Sequence, residues 1–208
     1  LFYDAEKYYK ENLQKNPNYT IREIFGYIFE EYIGILIKET LSNATIYTEI
    51  TYIKKKNQFH FFDWIIEIER NETREYYLIE VKSSEVPNRY CYDEQLNNYY
   101  KQDVIKRINK GIQKLSDIEN VEELSFLKGK KIYPIFIFKD LPFVNSTVIN
   151  DLLISCSEDY QELCTKIKNN ELYIFNVDSF ENFIEMMKDE TFNIEWLFNE
   201  QNDKPNEN

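Results

Sequence analysis

The spacing of apolar residues along the chain predicts two long helices. Between residues 21 and 36 these residues recur every three or four positions, which is the period of a helix with one buried face. Thr20 and Glu23 form a capping box that predicts the start of this helix, and we expect it to end near Glu39. A second helix, from about residue 93 to 115, is predicted by a stripe of similar spacing, which comprises Leu96, Tyr100, Val104, Ile108, Ile112 and Leu115.

Runs rich in aromatic and β-branched residues predict four strands. Pro134, in the fourth run, indicates an edge strand or a bulge. The resulting order is αβββαβ, which is typical of a mixed α/β sheet with packed helices. The four strands are predicted at residues 45–53, 59–69, 76–82 and 131–138, with a hairpin turn at residues 71–74.

The chain has the length and composition of one domain with additions. Its 208 residues are 43% hydrophobic and include only 4 Gly and 5 Pro, so it can bury a sizeable core. Residues 1–19 are predicted to form an N-terminal helix followed by a break at Pro17. Residues 20–140 are the predicted core, 141–200 an acidic C-terminal elaboration of the same domain, and 201–208 a disordered polar tail.

The C-terminal elaboration is predicted to contain further helices and one more strand. We expect helices at residues 148–155 and 161–168 and a strand at 172–177. Ser179 is the predicted cap of a final helix, although Asn182 stands where a capping box would carry a glutamate. The apolar face of that helix comprises Phe180, Phe183, Ile184 and Met187.

The charge of the chain is unevenly distributed. The formal net charge of −12 opposes what a nucleic-acid-binding surface usually requires. Residues 1–115 hold 17 Lys and Arg against 18 Asp and Glu, whereas residues 116–208 hold 8 against 19. The acidic excess therefore lies in the C-terminal part of the chain.

Cysteine content and hydropathy exclude several classes of protein. Cys91, Cys156 and Cys164 are too few and too widely spaced for a disulfide framework or a four-thiolate metal site, and we expect reduced thiols. No stretch approaches the roughly 20 apolar residues that a membrane-spanning helix needs, and no signal-peptide pattern precedes the first helix. We expect a cytoplasmic protein with no membrane partner. Because the chain begins with Leu1, we expect a fragment or a trimmed form.

Acidic and basic residues interrupt two of the predicted strands. Glu80 and Lys82 point to the same face of the third strand, roughly 6.5–7 Å apart along the chain, and the hairpin brings Asp63 to the same corner. Paired carboxylates suit Mg²⁺ or Mn²⁺, and a lysine beside them orients or deprotonates a water that attacks a phosphodiester. The alternative is a strand-end carboxylate beside a Glu80–Lys82 salt bridge, which burial makes costly.

Asp63 followed by Glu80-Val81-Lys82 resembles the signature of the PD-(D/E)XK nuclease superfamily, with Phe62 where the name expects proline. The αβββαβ order over residues 20–140 is similar to the restriction-endonuclease-like core of that superfamily. The resemblance implies a DNA nuclease whose Mg²⁺ or Mn²⁺ ligands are Asp63, Glu80 and the Val81 carbonyl. It implies that Lys82 positions the attacking water and neutralises developing phosphate charge.

Two helical motifs extend the resemblance. The segment from Gly26 to Glu30 resembles the first-helix pattern of these enzymes, in which a glutamate approaches the metal site, so Glu30 becomes a catalytic candidate. Gln95 and Tyr99 resemble the Gln-x-x-x-Tyr motif of RecB-like nucleases, which helps to position the site and the DNA. The alternatives are a solvated Glu30 and an ordinary pair of helix residues. Three cysteines cannot supply the iron–sulfur cluster of some RecB-type nucleases.

Basic residues cluster on the second long helix. They form either a solvated helix face or a track for the phosphate backbone of DNA, to which Lys54–Lys56, Lys128, Lys130 and Lys131 would add. His60 is predicted to face away from Asp63 and to be structural or incidental. The cluster comprises Lys101, Lys106, Arg107, Lys110 and Lys114, against the single acid Asp103.

Two functions follow from these observations. The first is a metal-dependent DNA nuclease, of the kind used in restriction, repair or anti-phage defence. The second is a non-catalytic, nuclease-like interaction module or a subunit of a larger complex, whose acidic C-terminal part binds a protein partner. The charge distribution favours the second, whereas the set Asp63, Glu80 and Lys82 favours the first. The sequence leaves open the cleavage mode, the strandedness of the nucleic acid and whether the chain forms a homo-oligomer.

Overall fold

A computed structural model describes residues 21–48, 50–70, 72–83, 94–139, 165, 171–195 and 197, with backbone alone at 21–23 and 94–103. The helices predicted within residues 1–19 and at 148–155 lie outside the described residues, as does the predicted tail. The helix predicted at 161–168 is described only at residue 165.

The described chain begins with a helix and five strands, continues through a long helix and a 3₁₀ helix, and ends with two strands and a helix. The order of elements confirms the predicted αβββαβ core, with one additional hairpin and a C-terminal strand and helix. The elements are α1 (Ile21–Thr40), β1 (Thr45–Thr48), β2 (Thr51–Lys54), β3 (Asn57–His60), β4 (Trp64–Arg70), β5 (Thr73–Lys82), α2 (Glu94–Leu115), a 3₁₀ helix (Glu122–Leu127), β6 (Lys131–Phe138), β7 (Tyr173–Asn176) and α3 (Val177–Met186).

Five strands form one mixed sheet in the order β1-β4-β5-β6-β7. Strand β4 pairs antiparallel with β1 and β5, whereas β5, β6 and β7 run parallel to one another. The long connection through α2 is what allows β6 to return parallel to β5. The chain therefore has the mixed α/β fold class predicted from its sequence.

Each face of the sheet is covered by helices, which explains why its central strands are almost continuously apolar. Helices α1 and α3 pack on the face that presents Trp64, Ile79 and Val81. Helix α2 and the 3₁₀ helix pack on the opposite face, against Leu78 and Phe136. Glu80 lies between Ile79 and Val81 on β5, so strand alternation directs it toward the α2 face.

Two helical glycines let the helices approach the sheet closely. A Cβ atom on Gly34 of α1 would lie 2.1 Å from the Trp64 ring, and one on Gly111 of α2 would lie 2.4 Å from the Phe136 ring. Real side chains do not tolerate such distances. The glycines therefore fix how near both helices stand to the strands that carry the charged residues.

The first two predicted strands each divide into two shorter strands. The predicted strand at 45–53 is β1 and β2, and that at 59–69 is β3 and β4. Strands β2 and β3 pair with each other in a separate two-stranded sheet. The second half of the first prediction and the first half of the second therefore do not belong to the main sheet, and in that respect the predictions were wrong. His60 accordingly lies exposed on this hairpin rather than on the strand that follows Asp63.

Two smaller predictions also differ from the structure. Strand β6 is paired on both sides and is no edge strand, but its pairing with β7 begins at Ile135, so Pro134 has a strand neighbour only in β5. The cap of α3 is Asn176, whose side chain accepts a hydrogen bond from the Ser179 backbone N–H at 2.8 Å, and not Ser179. The predicted apolar face of α3 is buried as expected. None of the described helices is long and apolar enough to cross a membrane.

Candidate active site

Asp63 is held beside the C-terminal end of β5 by a backbone hydrogen bond. It immediately precedes β4, and since Trp64 pairs with Ile79, the antiparallel register places Asp63 across from Glu80. The Val81 backbone N–H donates to Asp63 Oδ2 at 2.6 Å. This contact fixes the carboxylate against β5, because no side-chain rotation can move it away without breaking the bond.

Glu80 and Lys82 project to the same face of β5, as strand alternation predicts. Lys82 Nζ lies 2.5 Å from Glu80 Oε1, and the Glu80 residue is only 4% exposed. A carboxylate this buried is rare in an apolar sheet unless cations surround it. The structure therefore brings Asp63, Glu80 and Lys82 together at one corner, while their catalytic roles stay a prediction.

Lys114, in the last turn of α2, is a site residue that sequence reasoning missed. Its Nζ donates at 2.8 Å to each oxygen of Glu80 and at 2.7 Å to the Phe61 carbonyl. It also lies 5.6 Å from the centre of the Phe62 ring. The sequence placed Lys114 only in a basic run that was either solvated or facing DNA. The one local signal was Gly111, which lies one turn earlier and draws this part of α2 onto the sheet.

The Asp63 carboxyl is poorly compensated although two lysines are close. Burial, followed by the negative charge of Glu80, raises the pKa of Asp63 from 3.8 to about 6, against the opposing effects of Lys82, the Val81 N–H and Lys114. Ionisation of such a carboxyl group is costly when no further cation is present, and it becomes favourable once another cation approaches. The electrostatics therefore favour a further cation at this corner.

The donor set fits a hard divalent metal ion. Among the described residues, no group of three or more His, Cys, Asp or Glu could enclose a metal. Two carboxylates, Asp63 and Glu80, remain at this corner. Mg²⁺ commonly takes one or two carboxylates and completes its shell with water and substrate phosphate. The site thus suits Mg²⁺ better than a metal that requires a closed protein cage.

Glu30 lies on a helix that packs on the face of the sheet opposite to Glu80, and its catalytic role stays a prediction. It is half-buried on α1, the helix that covers the opposite face of the sheet. A Cβ atom on Gly26, one turn earlier, would lie 3.0 Å from Ser83 Oγ, so this end of α1 adjoins the residue that follows β5. The helix therefore reaches the correct end of the sheet, but from the side opposite to Glu80 and Lys114.

The structure describes only part of the predicted DNA-facing set on α2. Gln95, Tyr99 and Lys101 lie in the helix, but their side chains are outside the described part of the chain. Lys106 and Lys110 are exposed and Arg107 is half-buried. Their positions on α2 agree with the predicted helix, and their contacts with DNA stay a prediction.

Lys128, Lys130 and Lys131 lie at the other end of the sheet. Lys131 pairs in register with Glu75, seven residues before Lys82 on β5, which corresponds to roughly 23 Å along a strand. The prediction that these three lysines add to the basic track beside the site was therefore wrong. The error arose because sequence distance from the helix says nothing about the end of the sheet at which β6 begins.

Comparisons with known proteins leave the family open. No protein-family model matches the chain, and no curated protein matches it. Among solved structures, the chain is similar to the small subunit (R.BspD6I2) of the heterodimeric restriction endonuclease R.BspD6I. The TM-score is 0.38 and the identity 15%, over 93% of this chain and 83% of that subunit. A likeness this low carries no argument about activity.

Proposed function

We propose that this chain is a metal-dependent nuclease that hydrolyses phosphodiester bonds of DNA. The observation that carries the proposal is the convergence of Asp63, Glu80 and Lys82 at the C-terminal end of β5, with Asp63 fixed by the Val81 N–H at 2.6 Å. A structural salt bridge requires one carboxylate and one cation. It gives no reason for a second, half-buried carboxylate whose pKa is raised to about 6.

Asp63, Glu80 and the Val81 carbonyl would hold Mg²⁺ or Mn²⁺, which supplies Lewis-acid stabilisation of phosphate charge and lowers the pKa of bound water. Lys82 stands 2.5 Å from Glu80, where its ammonium orients the attacking water and faces the negative charge that develops on phosphate. Lys114 holds both Glu80 oxygens and keeps that carboxylate in one orientation. In this proposal Gln95 and Tyr99 orient the site, and Glu30 acts through water from the α1 side.

The basic side of α2 gives DNA a route to this corner. Lys106, Lys110 and Lys114 are spaced four residues apart and so follow one side of the helix. The first two are exposed and the third contacts Glu80. A phosphate backbone that follows this row would arrive at the two carboxylates, in agreement with the predicted roles of Lys101 and Arg107 nearby.

The test is cleavage of linear and circular DNA, single- and double-stranded, with Mg²⁺, Mn²⁺ or a chelator. We expect metal-dependent cleavage by the wild type and a loss of at least about a hundredfold in Lys82→Ala, which removes charge stabilisation at the reacting phosphate. Lys130→Ala is the matched control, since it removes an exposed lysine at the opposite end of the sheet. A circular substrate that stays uncut while the linear one is degraded would show that cleavage starts from DNA ends.

Two results would contradict the proposal. One is normal cleavage by Lys82→Ala, and the other is an inert wild type that binds no Mg²⁺ in calorimetry. The occupation of both Glu80 oxygens by Lys114 favours the alternative, a non-catalytic interaction module, because it neutralises the site without metal. Metal-independent capture of a protein partner by an inert wild type would support that alternative.

A further inference from the structure

The hairpin formed by β2 and β3 stands apart from the main sheet and presents an unusual surface. Among the strands that the structure describes, its two strands pair only with each other, with Tyr52 opposite Phe59 and Ile53 opposite Gln58. Tyr52 is buried, whereas Ile53, on the other face, is 74% exposed, the highest value among the large hydrophobic residues of the described chain. One face of the ribbon is therefore packed at Tyr52, although Phe59 beside it is 40% exposed. The other face is open and carries Ile53, Gln58 and His60.

Contacts with the segment after α2 hold this ribbon beside the candidate active site. The Tyr52 hydroxyl donates to Asp117 Oδ2 at 2.5 Å, and the Lys54 ammonium also pairs with Asp117. The Tyr52 ring stacks on Phe59 with centroids 5.8 Å apart. Asp117 follows Lys114, the partner of Glu80, by three residues. The packed face thus anchors the ribbon to the turn that follows α2 and Lys114.

The turn at the end of the ribbon adopts a backbone that its residues do not favour. Lys55 and Lys56 have φ angles of +51° and +69°, in the left-handed region that Asn-Gly would occupy at lower cost. Both lysines are exposed, and within the described chain neither has a hydrogen-bonding or ionic partner. A two-residue turn between paired strands requires this backbone, and lysine is not a residue type that adopts it readily. The turn therefore projects two free ammonium groups at a cost in backbone energy.

We propose that the β2–β3 hairpin is a DNA-contacting ribbon that enters the major groove of duplex DNA, with Lys55 and Lys56 on the phosphate backbone. A two-stranded ribbon fits that groove, and the open face offers Gln58 for base edges and Ile53 for thymine methyl groups. The hairpin lies in the nearly neutral part of the chain, residues 1–115, and its tip carries two adjacent unpaired lysines, for which phosphate is the complementary charge. This inference rests on the proposed nuclease function and adds where its substrate is held.

The reach of the ribbon is compatible with one bound duplex. Asp63 lies seven positions after Lys56 in the chain, which limits the distance between their Cα atoms to about 24 Å. That distance corresponds to about seven phosphates along one strand of duplex DNA. This upper limit allows a duplex gripped at the tip to extend to the two carboxylates.

The experiment measures duplex binding in chelator, where no cleavage occurs, by fluorescence anisotropy over a range of salt concentrations. The double variant Lys55→Asn, Lys56→Gly removes both charges and gives the turn its preferred residues, so it folds at least as stably as the wild type. We expect about tenfold weaker binding and a salt dependence reduced by about two in the slope of log K against log salt. The control, Lys128→Asn with Lys130→Asn, changes the net charge equally at the far end of the sheet.

Each outcome decides the proposal. Weaker binding with a smaller salt slope in the hairpin variant alone would support it. Equal binding by the hairpin variant and the wild type, equal losses in both variants, or no duplex binding by the wild type would overturn it. Cleavage by the hairpin variant at saturating DNA, measured separately with Mg²⁺, shows whether the nuclease function stands when the ribbon fails. Duplex binding that the hairpin variant retains would overturn the proposal and would favour a protein partner for the exposed face.

Discussion

Replacing Asp63 with asparagine should stabilise the metal-free protein at neutral pH while abolishing cleavage. The substitution keeps an oxygen that accepts the Val81 N–H, which lies 2.6 Å from Asp63 Oδ2, and removes the ionisable group. Burial and the neighbouring Glu80 make ionisation of Asp63 costly, since they raise its pKa to about 6. The folded protein without metal therefore carries a charge that opposes folding.

The sign and the size of the effect follow from this pKa. The folded value lies above the ordinary 3.8, so the folded state holds more protons between these values and stability is lost as pH rises through them. The full difference between the folded and unfolded pKa values corresponds to a loss of about 3 kcal/mol in the free energy of unfolding. About 1.6 kcal/mol of it is already lost at about pH 5. The advantage of Asp63→Asn over the wild type should therefore grow by about 1.4 kcal/mol between about pH 5 and about pH 7.5.

Urea unfolding in chelator measures this advantage directly. Both proteins are unfolded at several pH values above the sequence pI of about 4.7, and the free energies of unfolding are compared pairwise. Glu119→Gln provides the control, because it neutralises an exposed carboxylate outside the site. Added Mg²⁺ should then stabilise the wild type and leave Asp63→Asn almost unchanged, since the metal requires the ionised carboxylate.

A pH-independent difference between Asp63→Asn and the wild type would refute the reasoning. So would a variant less stable than the wild type at neutral pH, because Asp63 would then contribute favourable ion pairs that exceed the cost of its burial. Either result would remove the electrostatic argument for a metal ion at this corner. The cleavage assay would still decide the catalytic role of the carboxylate.

Three further predictions concern the support of the site. Lys114→Met should lower the free energy of unfolding by about 2–3 kcal/mol in urea, because it leaves the buried Glu80 carboxylate with one cation fewer. Gly34→Ala should destabilise by about 2 kcal/mol or more in thermal unfolding, because the new Cβ would lie 2.1 Å from the Trp64 ring. Asp117→Asn should cost about 1–3 kcal/mol at neutral pH by urea unfolding, and the loss should disappear as pH falls below the ordinary carboxyl range.

The pH dependence expected for Asp117 has the opposite sign to that of Asp63. Burial would raise the pKa of Asp117, but hydrogen bonds from Lys54 and Tyr52 outweigh it and lower the pKa, so its contribution is present above the ordinary value and lost on acidification. Stability of Asp117→Asn equal to the wild type at neutral pH would contradict this.

The predictions for Gly34→Ala and Lys114→Met each have a control variant. Gly26→Ala is the control for Gly34→Ala, since its Cβ would meet only Ser83 Oγ at 3.0 Å, and equal losses in the two variants would contradict the close packing of Trp64. Lys114→Arg keeps the charge and should recover part of the stability that Lys114→Met loses. Wild-type stability of Lys114→Met would show that the contact with Glu80 contributes nothing.

Local pattern was enough for most of the elements. Helices α1 and α2 and strands β5 and β6 lie where apolar periodicity predicted them, because that period reflects one buried helix face or a buried strand. The pairing of β4 with β5 also followed from sequence, since a short turn permits only an antiparallel partner. The proximity of Asp63, Glu80 and Lys82 depends on this pairing alone.

Contacts between segments distant in sequence decided which strands belong to the main sheet. Periodicity could not separate β2 and β3 from the main sheet, because the division depends on Tyr52 and Lys54 reaching Asp117 more than sixty residues away. The alternation of apolar and polar residues runs through both predicted strands, 45–53 and 59–69. No local feature shows where the pairing partner changes within them.

Lys114 shows the same limit within the candidate site. In sequence it is one of several lysines on α2, and its inward direction depends on the close packing of Gly111 against Phe136. The position of Lys131 at the far end of the sheet likewise depends on the parallel return of β6. The sequence by itself determined the elements and the acidic pair, which rest on local periodicity and one hairpin. Only the tertiary structure decided which lysines neutralise that pair, because a side chain's partner depends on distances that the chain order does not contain.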